Sequence, residues 1–122
     1  YFMFIRHNVS PNTFKIKLLK NTIKIGQIIV SVDKDAYINM LSVVDEYKNM
    51  GNGSRLLSEM ERILKKEYNV CKINLLVWQK QGERLVDFYE KNQYSVKEPS
   101  KKITTRDDGE HIYELIPMCK YI

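Results

Sequence analysis

The sequence predicts an α/β fold, a mixed, mostly antiparallel sheet flanked by two main helices and forming a single domain over residues 1–122. Three observations carry this. Apolar and polar residues alternate through much of the first 44 positions, cut by short polar turns. A glycine-spaced turn at Gly51 and Gly53 then opens onto a helical stripe of Leu56, Leu57, Met60, Ile63 and Leu64. An apolar strand and a second amphipathic helix follow it.

Tyr1 to Arg6 reads as a short strand, and Ser10-Pro11-Asn12 as a turn. Phe14, Ile16 and Leu18 alternate with lysines, the mark of a half-buried strand. Lys20-Asn21-Thr22 turns the chain into a strand at Ile23–Val32, and Asp33-Lys34-Asp35 turns it again into Ala36–Val44. The first helix is expected over Ser54–Tyr68 and a strand over Val70–Trp78. Leu85, Val86, Phe88 and Tyr89 share one face of a second helix, about Glu83–Asn92. Tyr94–Glu98 and His111–Met118 complete a strand pair around a polar, basic turn, Pro99–Glu110. The helix Ser54–Tyr68 joins its flanking strands in the one clear parallel crossover.

Composition bounds the function. The chain is 43% apolar and 29% charged, enough for one core and a charged surface. Twenty basic against fifteen acidic residues give a net charge of +5, which favours anionic partners. The basic residues are spread along the chain and no aromatic-basic nucleic-acid motif occurs, so nucleic acid is not expected as a partner. No stretch approaches a membrane span, so no membrane association is expected. Cys71 and Cys119 form no Cys-x-x-Cys and no His cluster accompanies them, so no metal is expected. Cys71 shares an alternating face with Ile73, Leu75 and Val77 and reads as core packing. This cysteine usage suits a reducing compartment, and the expected location is intracellular, in the cytoplasm.

The strand–turn–helix at Tyr47-Lys48-Asn49-Met50-Gly51-Asn52-Gly53-Ser54 is the chemically informative stretch. Backbone N–H groups converge at such a turn, and the helix dipole adds partial positive charge, so the arrangement suits a phosphorylated ligand. Two glycines let the backbone approach a phosphate, and Gly53 is expected to tolerate nothing larger. A P-loop would need Gly-x4-Gly-Lys-Ser/Thr, which is absent, and a dinucleotide fingerprint would need a third glycine where Leu56 stands.

What remains, Lys48-x-x-Gly51-x-Gly53, resembles the acyl-CoA pyrophosphate loop of the GNAT (Gcn5-related N-acetyltransferase) superfamily, Gln/Arg-x-x-Gly-x-Gly/Ala. Other segments carry the resemblance across roughly residues 14 to 118, in order and with matching gaps. Ile23 to Val30 is similar to the family's third strand, and Ala36 to Val44 to its fourth, with Leu41-Ser42-Val43 before the loop. Ile73 to Trp78 resembles the fifth strand, and Phe88-Tyr89-Glu90-Lys91-Asn92-Gln93-Tyr94 the family's Phe/Leu-Tyr-Glu-Lys-x-Gly-Phe. One departure is large. The family places two helices between its first two strands, where this chain has only about Ser10–Asn12. The acceptor face is then open, or a wall comes from another chain such as a second copy in a homodimer.

The resemblance implies an acyl-CoA-dependent N-acyltransferase using acetyl-CoA as co-substrate and an amine as acceptor, with direct transfer and no covalent enzyme intermediate. Backbone groups near Leu41 and Val43 would pair with the pantetheine arm, and an N–H there would polarise the thioester carbonyl. The pyrophosphate would accept bonds from N–H groups of Lys48, Asn49, Met50, Gly51, Asn52, Gly53 and Ser54. Tyr89 matches the family tyrosine that protonates the departing thiolate, against the alternative of a core tyrosine among eight in the chain. The position of the family's glutamate base, eleven residues before Lys48, holds Tyr37. Asp35, Tyr37 and Asn39 share a strand face, so Asp35 and Tyr37 are the candidates at the base position. Asp35 also reads as a plain turn residue, and Glu110 and His111 are further candidates from the last strand. Gly82 stands where relatives carry an Asn that bonds pantetheine, with Gln81 as a substitute. Trp78 reads as acceptor mouth or as packing.

The acceptor is expected to be a peptide or protein amine, with a small amine as the other possibility. A catalytically silent GNAT-like module that binds CoA or a protein is the alternative of a different class, motivated by the missing helices and the missing glutamate.

Overall fold

The computed structural model describes residues 1–80, 83–99, 101–105 and 111–122, with strand residues 101–105 and 111–112 described by their backbone. The chain forms two compact units. One holds Tyr1–Ile73 with Ile122, the other Asn74–Tyr121.

The first unit is a four-stranded antiparallel meander with one helix. Its strands are β1 (Phe2–Ser10), β2 (Thr13–Lys20), β3 (Ile23–Val32) and β4 (Ala36–Val43). The period of two in β2 and β3 buries Phe14, Ile16 and Leu18, then Ile28 and Val30. The helix α1 (Asn52–Ile63) lays Leu56, Leu57, Met60 and Ile63 on the same face, chiefly against β3. Gly26 is what lets them meet. A Cβ there would stand 2.9 Å from the Ser42 carbonyl oxygen, closer than packed atoms allow, and 3.1 Å from Leu56 Cδ1, which would have to give way.

β1 is longer than expected, nine residues in place of a strand ending at Arg6, because β2 offers it an antiparallel partner out to Ser10↔Thr13, with an irregularity at Val9. Arg6 ties it down. Its guanidinium donates to Glu67 Oε1 at 2.6 Å and to the Tyr68 hydroxyl at 3.0 Å, and lies 5.1 Å from the Phe14 ring centroid. That pairing holds the Glu67 carboxyl below its ordinary range. The expected helix Ser54–Tyr68 starts two residues earlier and changes form at its end. Leu64–Tyr68 is a π turn, closed by Asn69 at a left-handed φ of 55°.

β4 carries a bulge that period-two reading misses. Ile29 opposes Met40 while Val30 opposes Ile38, so Asn39 is the extra residue. The bulge reverses the alternation. Tyr37 and Asn39 face outward, whereas Leu41 and Val43 turn inward with Ile38.

The second unit takes most of β5 (Lys72–Lys80), then α2 (Leu85–Lys91), β6 (Ser95–Val96), β7 (Lys101–Thr105) and β8 (His111–Tyr121). Leu75, Val77, Tyr94, Ile116 and Met118 are buried in it. β8 pairs antiparallel with β6 at Ser95↔Cys119 and with β7 from Lys101↔Leu115 to Thr105↔His111. Two expectations are corrected here. Pro99–Glu110 contains a strand, β7, rather than only a turn, because β8 extends to His111 and provides a partner. Cys71 lies ahead of β5 and is exposed, so it is not core packing. Its carbonyl accepts the Ile122 N–H at 2.9 Å.

No helix among the described residues is long and apolar enough to cross a membrane.

Candidate functional site

The end of β4 and the start of α1 are joined by a short 3-10 turn, Asp45–Tyr47, and by the loop Lys48–Gly51. Two left-handed residues shape this loop, Asn49 at φ 61° and Gly51 at φ 81°. Asparagine tolerates that conformation, and glycine adopts it without a Cβ penalty. The glycine with the special backbone is therefore Gly51. Gly53, expected to tolerate nothing larger, lies inside α1 at an ordinary helical conformation, so its backbone does not demand glycine.

Two of the loop's carbonyl oxygens, those of Met50 and Gly51, accept bonds from Arg55. The Lys48 N–H donates to Asp45 O at 3.3 Å and the Arg55 N–H to Gly51 O at 3.0 Å. Asn52 is 2% exposed, and its Nδ2 donates to Tyr47 O at 3.0 Å. Arg55 Nη1 donates to Met50 O at 3.0 Å and to Asn52 Oδ1 at 2.8 Å. The helix's first N–H groups, those of Asn52, Gly53 and Ser54, have no carbonyl one turn back to bond. The N-cap is Gly51, with no side-chain cap. An uncapped helix start with its positive dipole end attracts an anion and offers it several donors. An open groove of about 640 Å³ borders it, lined among others by Phe2, Phe4, Gly51, Ser54, Arg55 and Ser58.

Lys48 adds a cation at the loop's entry and pairs with Asp45 Oδ1 at 2.8 Å. The hydrogen bond and charge of Lys48 hold the Asp45 carboxyl below its ordinary range. The side chains of Leu41 and Val43 point to the face that α1 covers. Val43 Cγ2 would lie 3.5 Å from a Cβ on Gly26, which itself would touch Leu56. The first unit thus gathers Leu41, Val43 and Lys48 to Ser54 at one strand–helix junction.

The base-position candidates sit at the other end of β4. Asp35 belongs to a turn in which the Asp33 N–H donates to Asp35 O at 2.9 Å. Tyr37 is 44% exposed on the outward face of β4. His111 begins β8 by its backbone, while Glu110, Gln81 and Gly82 lie outside the described residues.

Tyr89 stands in the second unit, on α2. Its ring meets Phe88 edge-on with centroids 5.0 Å apart and Tyr94 at 5.8 Å. Burial pushes its phenol up to about 12, so the hydroxyl stays protonated well beyond neutral pH. After α2, the Gln93 N–H donates to Glu90 O and the Tyr94 N–H to Tyr89 O, each at 3.0 Å. Gln93 takes a left-handed φ of 68° where the resemblance has glycine, a strain of about 1–2 kcal/mol for a residue with a Cβ. Trp78 is 50% exposed and packs edge-on against Tyr113, with centroids 5.9 Å apart.

The raised Tyr89 value has a consequence for stability. An unfolded tyrosine titrates near 10 (about that value in model peptides). The folded state holds the proton more tightly, so this contribution is present below about pH 10 and is lost as the pH rises through about 12. Thermal melts from about pH 9 upward are expected to show wild type losing stability faster than Tyr89→Phe above about pH 10. Parallel curves would show that the phenol is not held above its ordinary value.

Sequence reasoning missed Arg55, which donates to Met50 O and Asn52 Oδ1, Phe2, whose ring lies 4.2 Å from the Arg55 guanidinium carbon, and the bulge at Asn39. Only the Asn52-x-x-Arg55 spacing, one helical turn, carried a local signal for the brace.

The sequence profile of the Acetyltransferase (GNAT) family matches residues 5–94. No curated protein is similar enough in sequence to register as a match. Among solved structures, an acetyltransferase from Bacillus anthracis in complex with acetyl coenzyme A aligns at a TM-score of 0.77 and 21% identity, over 93% of this chain and 65% of that one. This chain thus spans just under two thirds of that protein's length. A ribosomal-protein alanine N-acetyltransferase from Escherichia coli aligns at 0.78 and 20%, over 93% and 71%. A GNAT family acetyltransferase from Elizabethkingia anophelis with acetyl-CoA bound aligns at 0.78 and 14%, over 99% and 98%. These identities speak for the fold. The α/β class with two main helices, and without the pair usual before the second strand, agrees with the sequence-based expectation.

Proposed function

The chain belongs to the GNAT acetyltransferase family, and on that premise we propose that it is a single-domain N-acetyltransferase, moving an acetyl group from acetyl-CoA to a peptide or protein amine. The observation that carries the reading is the loop at Gly51. Its Met50 and Gly51 oxygens are bonded within the junction, and an uncapped helix start follows it directly. That donor set fits a diphosphate, which needs several N–H groups at close approach and nearby positive charge.

The roles follow from the chemistry of each position. N–H groups from Asn49 to Ser54 hold the diphosphate, and Lys48, released from Asp45, adds charge. The backbone near Leu41 and Val43 pairs with the pantetheine arm as an added strand would. An N–H there stabilises negative charge on the thioester oxygen as the amine attacks. Acetyl-CoA supplies the activated acyl group. Tyr89 hydrogen-bonds to the departing sulfur. With its phenol near 12 and a thiol near 8.5 (about the free-cysteine value), full transfer of the phenolic proton is uphill. Tyr89 therefore acts as a donor late in bond breaking, and the attacking amine's own proton balances the products.

A CoA-binding module without turnover is the second reading, favoured by Tyr37 in place of a carboxylate at the base position. Thiol release separates the two.

Only a short turn joins β1 to β2, so the acceptor face lacks the helical wall that would position a small amine. A macromolecular acceptor brings its own surface. With a net charge of +5, acidic groups flanking the amine favour encounter and polycations do not. Peptides with acidic flanks are expected to be acetylated about tenfold faster than spermidine at low salt, the difference fading towards about 0.5 M. Fast, salt-insensitive acetylation of polyamines would overturn the acceptor class.

A further inference from the structure

We propose that Arg55 is a positioning residue for the diphosphate loop, holding Met50 to Asn52 in the shape that presents the first N–H groups of α1, with Phe2 of β1 as its backing. This rests on the loop being the coenzyme site.

A loop with two left-handed residues in three has no ladder of its own to define it, so its shape must be held from outside. Arg55 does this with one nitrogen. Nη1 donates to Met50 O at 3.0 Å and to Asn52 Oδ1 at 2.8 Å, gripping the chain on both sides of Gly51. Asn52 passes the constraint on, since its buried side chain also donates to Tyr47 O at 3.0 Å. One guanidinium thereby couples the end of the 3-10 turn, the middle of the loop and the first turn of α1. Drawing the Met50 carbonyl to Arg55 also keeps a negative dipole end from opposing an arriving phosphate.

The guanidinium is itself held. Its central carbon lies 4.2 Å from the Phe2 ring centroid, within cation–π range, and Lys20 Nζ lies 5.8 Å from the same ring. The planar fork suits this task. Its carbon lies over the ring while Nη1, one bond further out, reaches both acceptors, a distance that a lysine ammonium falls one bond short of. A lysine would replace the charge but not the brace, and this separates positioning from direct phosphate contact. Arg55 is exposed on the helix surface, so its replacement leaves the core of Leu56, Leu57 and Met60 in place.

The test is calorimetric titration of CoA into wild type, Arg55→Gln, Arg55→Lys and Phe2→Ala. Both Arg55 variants are expected to bind CoA about tenfold more weakly, the scale on which supporting partners of a binding group act, with a smaller loss for Phe2→Ala. Turnover of S-acetylpantetheine, which lacks the diphosphate, is expected to fall far less than that of acetyl-CoA in the same variants. Restored affinity in Arg55→Lys would overturn the proposal in favour of a direct charge contact. Unchanged affinity in both Arg55 variants, or equal losses with S-acetylpantetheine, would also overturn it. Wild type failing to bind CoA would instead remove the loop reading on which it stands.

Discussion

Gly51→Val is expected to weaken CoA binding by about a hundredfold or more while the protein still folds. The reason is the backbone. Gly51 holds φ at 81°, where a β-branched residue is an outlier. The space is not the obstacle, because an added Cβ would lie 3.6 Å from Arg55 Nη1, an ordinary contact. Valine would instead move the residue out of the left-handed region. Met50 O and Asn52 would then lose register with Arg55, and the N–H groups that open α1 would no longer converge. Strain of roughly 1–2 kcal/mol in the retained shape is small beside a folded domain's stability, so the variant should melt cooperatively a few degrees lower. Gly51→Ala is the graded control, with the same φ penalty and less crowding. Titration calorimetry on variants shown to be folded checks this. Equal CoA affinity in wild type and Gly51→Val would end the loop's assignment as the diphosphate site.

Tyr89→Phe is expected to lower kcat by about a hundredfold with the KM for acetyl-CoA little changed. A donor that acts on the departing sulfur matters only as that bond breaks, so ground-state binding should survive its loss. The thiolate is a good leaving group, which keeps the effect near the lower end of general acid catalysis, roughly 10² to 10⁴. The fold should be unaffected or slightly firmer. The ring contacts with Phe88 and Tyr94 remain in phenylalanine, and removing a desolvated hydroxyl relieves burial of a polar group. Steady-state kinetics where chemistry limits the rate, with pre-steady-state thiol release as the control, measures it. An unchanged kcat would leave Tyr89 as a packing residue.

Local patterns made much of the first unit legible. Phe14, Ile16 and Leu18 alternate with lysines because one face of β2 is buried and the other wet. Leu56, Leu57, Met60 and Ile63 repeat at the helical period because α1 buries a single stripe. Gly51 and Gly53 marked the turn, but the sequence singled out Gly53 where the φ that calls for glycine is at Gly51, because the point at which the helix begins is not written in the spacing. Features set by partners distant in the chain were hidden. The bulge at Asn39 arises from pairing with Ile29 and Val30, and nothing in Ala36–Val43 itself announces it. The consequence reaches the site, since the bulge decides that Leu41 and Val43 share a face with Ile38 rather than with Tyr37. The Arg55 brace needs Phe2, which lies 53 positions earlier, so only its Asn52 half could be read locally. The basic, polar sequence of β7 lacks alternation and predicts a turn, and it becomes a strand only through β8. Cys71 followed the alternation of β5 on paper, yet the strand begins one residue after it.

The central claim is that this chain moves an acetyl group from acetyl-CoA to an amine through the loop at Gly51. The most direct measurement follows free thiol and N-acetyl product together, in one reaction of protein, acetyl-CoA and an acidic-flanked peptide with a free amine. The expected result is one thiol for each acetylated amine, saturating in acetyl-CoA and falling sharply in Gly51→Val. Saturable CoA binding with no thiol released above the protein-free rate, across peptide, lysine and polyamine acceptors, would contradict it.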